Sequence, residues 1–459
     1  MTRYDDPATF RGQLQRGRGG ARRRASAEPG AGAAVYECVI NDPRWDRQVE
    51  QRDSYLAGLI RQLNLPLMPI EQHLNAFDGA DAAGIDLALQ VLALLPFASR
   101  QDAAAVLRGY AVGGKHWHAA LEAIGYSGVM KLPGIWDGLA DDIVASHDDS
   151  QLADVVCAFE PWTTFAQTQP RIQRLLEDRA SARRPARPPA AGMADRQRIR
   201  DARTEDLLQD TAAGGPARRQ ALEELGRRGE TLVLDLAEDL GLRNAAGWIP
   251  GMPQALHHLG PAAVPRARAW VWGCGDSTLA GFGIRVLAER GDDSDVPALL
   301  SALHRDVAGE DWCSAEIPAR GLGRLKASQA ARGLAAAWES TVHSLAREAF
   351  LEGLQGCAPR IAESFAEEGL YDCEPSVQRL ACTAAPDGEL VRTRLRELAS
   401  DPLTPQARDA ADTRLAMPVP CERAKSRRYA RIGRQSISLP VVGRYRQRRR
   451  GSGRSSSER

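Results

Sequence analysis

The feature that most constrains the fold is a sequence motif that recurs along the second half of the chain. Each copy carries leucine and alanine at helical spacing, then a glycine or short turn, then a second short amphipathic stretch, as in Ala221–Gly226 and Ala255–Pro265. Such repeats predict stacked helix pairs, because no pair buries its apolar face alone and its neighbours complete the core. The chain is therefore predicted to be all-α, an α-solenoid of antiparallel helix pairs. The anchor leucines lie 26 to 35 residues apart, at Leu225, Leu259, Leu287, Leu322, Leu354 and Leu380.

The composition agrees with short, closely packed helices. Only 5% of the 459 residues are aromatic, and the abundant alanine and leucine are strong helix formers. Eight cysteines without a Cys-x-x-Cys spacing predict free thiols in a reducing compartment. Because the sequence shows neither an apolar leader nor a run of 18 apolar residues, we expect a cytoplasmic protein without a membrane span. Four lysines beside 56 arginines suggest a GC-rich bacterial genome.

The net charge of +1 conceals a segregation of charge along the chain. Residues 1–34 carry +4 and residues 421–459 carry +11, so the sequence between them is close to −14. Residues 1–34, rich in arginine and glycine, are predicted to be disordered because they hold few apolar side chains. The basic low-complexity tail at 418–459 is predicted to be disordered for the same reason. Such a tail could bind nucleic acid, anionic lipid or the acidic body of the chain itself.

Between these ends, helical periodicity predicts two arrays of helix pairs. The first covers residues 35–180 and starts with a helix over Arg44–Leu63. A proline- and arginine-rich stretch at 181–200 predicts a semi-extended linker. The second array, at 201–417, holds the clearest copies of the recurring motif.

Two sequence motifs in the second array resemble those of a known protein family. Leu256–Pro265 reads Leu-x-x-Leu-Gly-x-x-Ala-Val-Pro, and Asp293–Leu303 reads Asp-x-Asp-Val-Pro-Ala-Leu-Leu-x-x-Leu. Both are similar to HEAT repeats of the short type found in phycocyanobilin lyases, over about residues 215–310. The resemblance implies a helical scaffold that binds another protein. It also leaves open a lyase or isomerase that acts on a bound tetrapyrrole-like cofactor.

Motifs for catalysis, cofactor binding or metal binding are incomplete wherever they begin. Gly109-x-x-x-x-Gly114-Lys115 lacks the Ser or Thr that a phosphate-binding loop needs next, and position 116 is His. Ser277 lacks the Gly at 279 that a nucleophile elbow requires. The histidine pairs at 116/118 and 257/258 do not have the i, i+4 spacing that lets two helical histidines share a metal. We therefore predict no catalytic, cofactor-binding or metal-binding residue.

Acidic residues on second helices are the one positive functional signal. In solenoids the second helices line the concave face, so like charges stacked there would attract a basic partner. The alternative is that these side chains form an ordinary solvated face. Two tryptophans near a helix junction could add contact area, although packing is the alternative for them as well. The candidate partner-binding residues are Asp141, Asp142, Asp235, Glu238, Asp239, Glu363, Glu367, Trp270 and Trp272.

The sequence thus favours a non-enzymatic scaffold that binds a protein partner. Two other hypotheses stay open. A tetrapyrrole lyase or isomerase would co-purify with a coloured cofactor. Nucleic-acid binding through the arginine-rich tails would weaken steeply with salt.

Overall fold

The structure is a computed structural model that describes residues 4–128, 132, 134, 136–182, 197–213, 215–243, 249–273 and 278–418. Throughout these residues the regular structure is helical and no strand is present. The prediction of an all-α chain is confirmed. The predicted tail (apart from Pro418) and the greater part of the predicted linker, residues 183–196, lie outside the described residues. The described residues of that linker, 181–182 and 197–200, are helical.

Twelve α-helices lie among the described residues before residue 183. They are α1 Phe10–Gln15, α2 Gly19–Arg24, α3 Ala31–Ile40, α4 Asp53–Gln62, α5 Met68–Ala76, α6 Asp86–Leu94, α7 Gln101–Gly113, α8 Trp117–Ser127, α9 Leu139–Ser146, α10 Asp149–Val155, α11 Trp162–Phe165 and α12 Pro170–Ala182.

The helices after the linker begin with α13, whose described part is residues 197–201. The others are α14 Thr204–Ala213, α15 Gly215–Arg227, α16 Leu232–Arg243, α17 Met252–Leu259, α18 Val264–Gly273, α19 Thr278–Arg290, α20 Val296–Ala308, α21 Trp312–Arg324, α22 Ala331–Ser340, α23 Ala346–Cys357, α24 Pro359–Gly369, α25 Pro375–Ala384, α26 Glu389–Ser400 and α27 Pro405–Ala416.

The second half packs as successive helix pairs. Each odd-numbered helix from α15 to α27 packs against the next odd-numbered helix, and even-numbered helices such as α18, α20 and α26 pack on a neighbour in sequence. The glycine after an anchor leucine explains part of this regularity. A Cβ at Gly226 would lie 2.4 Å from the Ala255 carbonyl oxygen, and one at Gly323 would lie 2.7 Å from the Gly353 Cα. These glycines let the backbones of neighbouring helices approach closely.

Two hydrophobic cores follow the two halves of the chain. The first is built from residues between Phe10 and Ile172, and the second from residues between Ile199 and Ala411. The first core also includes Cys373 and Leu403, which come from the far end of the sequence. The N-terminal helices therefore pack against the C-terminal helices.

The prediction that residues 1–34 are disordered is wrong for the residues that the structure describes there. Helices α1 and α2 form within this segment, and Arg16, Arg18 and Arg22 are buried. Burial of an arginine requires a partner for its charge. The carboxylates nearest Arg18 and Arg22 are Glu368 and Asp401, more than 300 residues away, so a composition argument on the segment alone could not include them.

The contact between α2 and α24 is a close one. The Arg18 guanidinium donates to both carboxylate oxygens of Glu368 over 2.8 and 3.0 Å. A Cβ at Gly19 would lie only 1.9 Å from the Glu368 carbonyl oxygen, so the backbones nearly touch. Two residues before Gly19, Gly17 has φ +66°, and its carbonyl accepts a hydrogen bond from the Cys373 backbone amide over 3.0 Å. Glycine is needed at both positions, for approach at one and for conformation at the other.

The helix predicted over Arg44–Leu63 is shorter, since α4 begins at Asp53. The preceding residues use their side chains in local ion pairs instead. Arg44 pairs with the Asp42 carboxylate over 2.8 Å, and the Trp45 amide donates to Glu50 over 3.0 Å. Local side-chain bonds of this kind compete with helix formation.

Candidate functional site

The predicted acidic residues on α9 are used inside the fold. Asp142 pairs with Arg108 on α7 over 2.5 Å, and Asp141 accepts a hydrogen bond from the Gln169 amide. Asp142 is about half exposed, at 46%. Its charge is offset by a neighbouring helix, so it offers little attraction to a basic partner.

The acidic residues of α16 contact α18 in the same way. The Arg266 guanidinium bridges Asp235 over 2.6 Å and Glu238 over 2.9 Å. The indole N–H of Trp270 also donates to Glu238 over 2.7 Å, and Trp270 is buried in the core. Asp239 is exposed on the same helix. Trp270 thus packs between helices, which corrects its assignment to a partner-binding surface.

The remaining predicted residues lie at two different places. Trp272 is 69% exposed at the end of α18. Glu363 is exposed on α24, whereas Glu367, one turn further along, lines a cleft in the described part of the chain. Of the predicted residues, only Glu367 lines this cleft.

A buried polar network joins the N-terminal segment to the C-terminal helices. At its centre the Glu50 carboxylate accepts the Ser344 amide over 2.8 Å and lies 3.0 Å from His343 Nδ1. Trp45 packs against the His343 ring with 4.7 Å between centroids. All of the polar groups in this part are nearly inaccessible to solvent. The arrangement resembles an acid–base pair, but its burial fits a structural role.

The network continues through two arginines that surround one thiol. Arg347 forms a bidentate pair with Asp372 over 2.8 and 2.9 Å. Arg52 donates to Cys373 Sγ over 2.7 Å and lies 3.6 Å from Glu374. Burial raises the pKa of the Cys373 thiol well above its ordinary value. Cys373 therefore stays protonated at neutral pH and is a poor nucleophile.

The network makes a prediction about pH. Burial raises the pKa of Glu50, but the His343 hydrogen bond, the Arg52 charge and the Ser344 amide outweigh it, so the pKa lies below its ordinary value. Such a carboxylate stabilises the fold above its unfolded pKa of about 4.3, and this stability is lost as pH falls through the folded pKa. We expect the midpoint temperature of unfolding to fall less steeply between about pH 5 and pH 3 in Glu50→Gln than in the wild type.

Thermal unfolding across that range is the measurement. The exposed carboxyl of Glu71 on α5 provides the control, since Glu71→Gln should leave the acid limb unchanged. Parallel curves for the wild type and Glu50→Gln would show that Glu50 is not held in the network.

The cleft adjoins this network. It has a volume of about 870 Å³ and lies between α2 and α4 on one side and α24, α26 and their neighbouring loops on the other. A cleft of this size is in the range of ligand pockets. Its wall combines arginines, carboxylates, Tyr371 and the exposed side chain of Leu390.

One side of the cleft holds two arginines, Arg22 and Arg61, that share one carboxylate. Asp401 forms a bidentate pair with Arg61 over 3.1 Å to each oxygen. Arg22, which is fully buried, has only a 3.8 Å contact with the same carboxylate. Burial, together with repulsion from Arg394, lowers the pKa of Arg22 to about 10.

The opposite side holds Arg394 against an aromatic ring. Its guanidinium lies 4.6 Å from the ring centroid of Tyr371, donates to the Leu370 carbonyl over 3.2 Å and pairs with Glu397 over 2.9 Å. Arg23 approaches the same ring at 5.9 Å. Such cation–π contacts hold arginines in place without neutralising them.

Sequence reasoning did not find this cleft or the buried network. Arg22 and Arg394 are 372 positions apart in the chain, and no local pattern joins them. The one usable signal was Asp372-Cys373-Glu374, two charges flanking a cysteine next to the apolar turn at Leu370. Two acidic residues inside a stretch that forms the core indicate that their charges are paired with residues from elsewhere in the chain.

Comparison with protein-family models, curated proteins and solved structures finds no match for this chain. Within the described residues, no helix combines the length and the apolar character needed to span a membrane. The same residues bring together no group of three or more His, Cys, Asp or Glu side chains suited to hold a metal ion.

Proposed function

We propose that this protein is a non-enzymatic scaffold of the HEAT-repeat type, whose helix pairs stack as a solenoid and whose cleft between α2, α4, α24 and α26 binds a protein partner. Support for the solenoid comes from the regular packing of each odd-numbered helix from α15 to α27 on the next. This is the pattern expected when repeats stack on their neighbours.

The observation that carries the binding role is Leu390. Its side chain is 80% exposed at the edge of the cleft, beside a wall that contains Tyr371, Arg23 and Arg394. Tyrosine and arginine are enriched at the energetic centres of protein interfaces, and Leu390 would add apolar contact area beside them. A partner that covers Leu390 would remove this side chain from water.

A binding role is also favoured over catalysis by the burial of the reactive groups in the polar network. His343, Ser344 and Cys373 could serve as a base or nucleophile, but they are 3%, 0% and 2% exposed. A substrate could not reach them without opening the contact between the N-terminal and C-terminal helices. Their hydrogen bonds are made within the fold.

The test is affinity purification from the native host with quantitative mass spectrometry. Leu390→Asp should lose a partner that the wild type retains, because a charge at the centre of an interface is costly to desolvate. Leu232→Asp is the matched control, since Leu232 is an exposed leucine on α16, outside the cleft. If all three proteins capture the same set, the cleft is not the binding surface.

A further inference from the structure

Two buried arginines in the cleft have guanidinium nitrogens without a partner. Among the described residues, Arg22 Nη1 and Arg394 Nη2 are buried and have no hydrogen-bond partner. Both side chains line the cleft, and they are close enough for each charge to act on the other. An unsatisfied buried donor on a charged group is costly, so such a pair requires an explanation.

The carboxylates of the cleft do not balance these two charges. Asp401 is engaged with Arg61, and its approach to Arg22 is only 3.8 Å. Glu397 pairs with Arg394 through the other nitrogen, Nη1, and is 56% exposed. Arg22 is therefore the less well compensated of the two arginines.

Other acidic residues of the wall are directed to arginines that do not line the cleft. Asp387 pairs with Arg414 over 2.9 Å, and Glu389 pairs with Arg396 over 3.3 Å. These contacts take negative charge away from the arginine pair. Glu367 also lines the cleft, so the place that favours an anion is the immediate surroundings of Arg22, which among the described residues has no carboxylate closer than 3.8 Å.

A purely structural role explains the pair poorly. Replacing poorly compensated buried charges with apolar side chains of similar volume often leaves a fold as stable or makes it more stable. Positions that break such a stability rule are characteristic of functional sites. Tyr371, which contacts both Arg23 and Arg394, holds the arginines at the wall and adds an aromatic surface.

We propose that Arg22 and Arg394, with Tyr371 beside them, form a binding site for a phosphate monoester group. Arg22 Nη1 and Arg394 Nη2, the two nitrogens that have no partner among the described residues, can each donate charge-assisted hydrogen bonds to phosphate oxygens. A phosphate monoester carries about −1.5 to −2 charges at neutral pH and would compensate Arg22, whose nearest carboxylate contact is 3.8 Å, more closely than Asp401 does. The inference rests on the proposed function, because it assigns a chemistry to the same cleft.

The test is thermal unfolding of the full chain in inorganic phosphate and in potassium chloride at equal ionic strength, with affinity measured by calorimetry. Phosphate should raise the wild-type midpoint above the chloride value, because a ligand that binds the native state stabilises it. Arg22→Met should weaken phosphate binding about 10- to 100-fold, the range for loss of a charge-assisted hydrogen bond. Its midpoint in chloride should equal or exceed that of the wild type.

Two further variants make the test specific. Arg24→Met is the matched control, since Arg24 lies on α2 but is exposed and bonded to Gln13, and it should keep the phosphate effect. Gly58→Ala places a Cβ 2.7 Å from Arg22 Nη2, so it should displace the guanidinium and reduce binding without removing the charge. Equal midpoints in phosphate and chloride, or a full phosphate effect in Arg22→Met, would overturn the proposal.

The source of the phosphate is distinguished in the capture experiment. Phosphatase treatment of the lysate should abolish partner capture if the phosphate is on the partner, and leave capture intact if it belongs to a small molecule. The phosphate effect on unfolding is expected in either case. If the phosphate site is disproved, the scaffold proposal is still tested by the Leu390→Asp result, because Leu390 does not contribute to the arginine pair.

Discussion

Asp372→Ala is expected to lower the free energy of unfolding by about 3–5 kcal/mol, the range for breaking a buried ion pair by removing one partner. The Arg347 guanidinium is fully buried, and Asp372 is its bidentate partner over 2.8 and 2.9 Å. Without the carboxylate, the Arg347 charge stays in the core without that compensation. Asp372 also accepts the Glu374 amide over 3.0 Å, so a backbone donor loses its partner as well.

Denaturation by urea, followed by circular dichroism, measures this effect. Asp206→Asn is the control, because the Arg203–Asp206 contact is 3.8 Å long and both side chains are largely exposed. An exposed pair of this kind is expected to contribute less than about 1 kcal/mol. A loss below 1 kcal/mol for Asp372→Ala would show that the Arg347–Asp372 pair is not buried as described.

Gly19→Ala is the second substitution with a large expected effect. The added Cβ would lie 1.9 Å from the Glu368 carbonyl oxygen and 2.9 Å from the Glu368 carbonyl carbon. Because both atoms belong to the backbone of α24, a side-chain rotation cannot relieve the clash. We expect a loss of about 1–3 kcal/mol or more, as for other overpacked contacts, and separation of α2 from α24.

The neighbouring glycine provides a matched control on the same helix. A Cβ at Gly20 would meet the Gln13 side-chain oxygen at 2.6 Å, and that flexible side chain can move. Gly20→Ala should therefore have little effect on the unfolding midpoint, while Gly19→Ala lowers it. Equal midpoints for the two variants would contradict the close approach of α2 and α24.

The helical class was predictable because it depends on local periodicity. Anchor leucines such as Leu225, Leu259 and Leu322 recur at repeat spacing, and the structure buries all three. The order of residues 10–24 was not predictable, because it depends on pairing with distant residues. Arg18 is paired with Glu368, so the burial of its charge depends on the contact between α2 and α24.

The candidate site shows the same limit. The acidic residues were predicted to form a surface that attracts a basic partner, but Asp142, Asp235 and Glu238 are paired with Arg108 or Arg266 from neighbouring helices. Which arginine reaches which carboxylate depends on the packing of whole helices. Sequence spacing predicts side-chain neighbours three or four residues apart on one helix and carries no information on such contacts.

Hydrogen–deuterium exchange of the intact chain tests most directly whether the N-terminal segment is docked on the C-terminal helices. The docked structure predicts slowed exchange for amides in residues 10–24 and in α4, because docking restricts opening of these helices. It also predicts that Gly19→Ala speeds exchange in residues 10–24, while Gly20→Ala leaves it unchanged. Exchange of residues 10–24 in the wild type at the rate of an unstructured peptide would contradict the docked segment and the cleft that it helps to form.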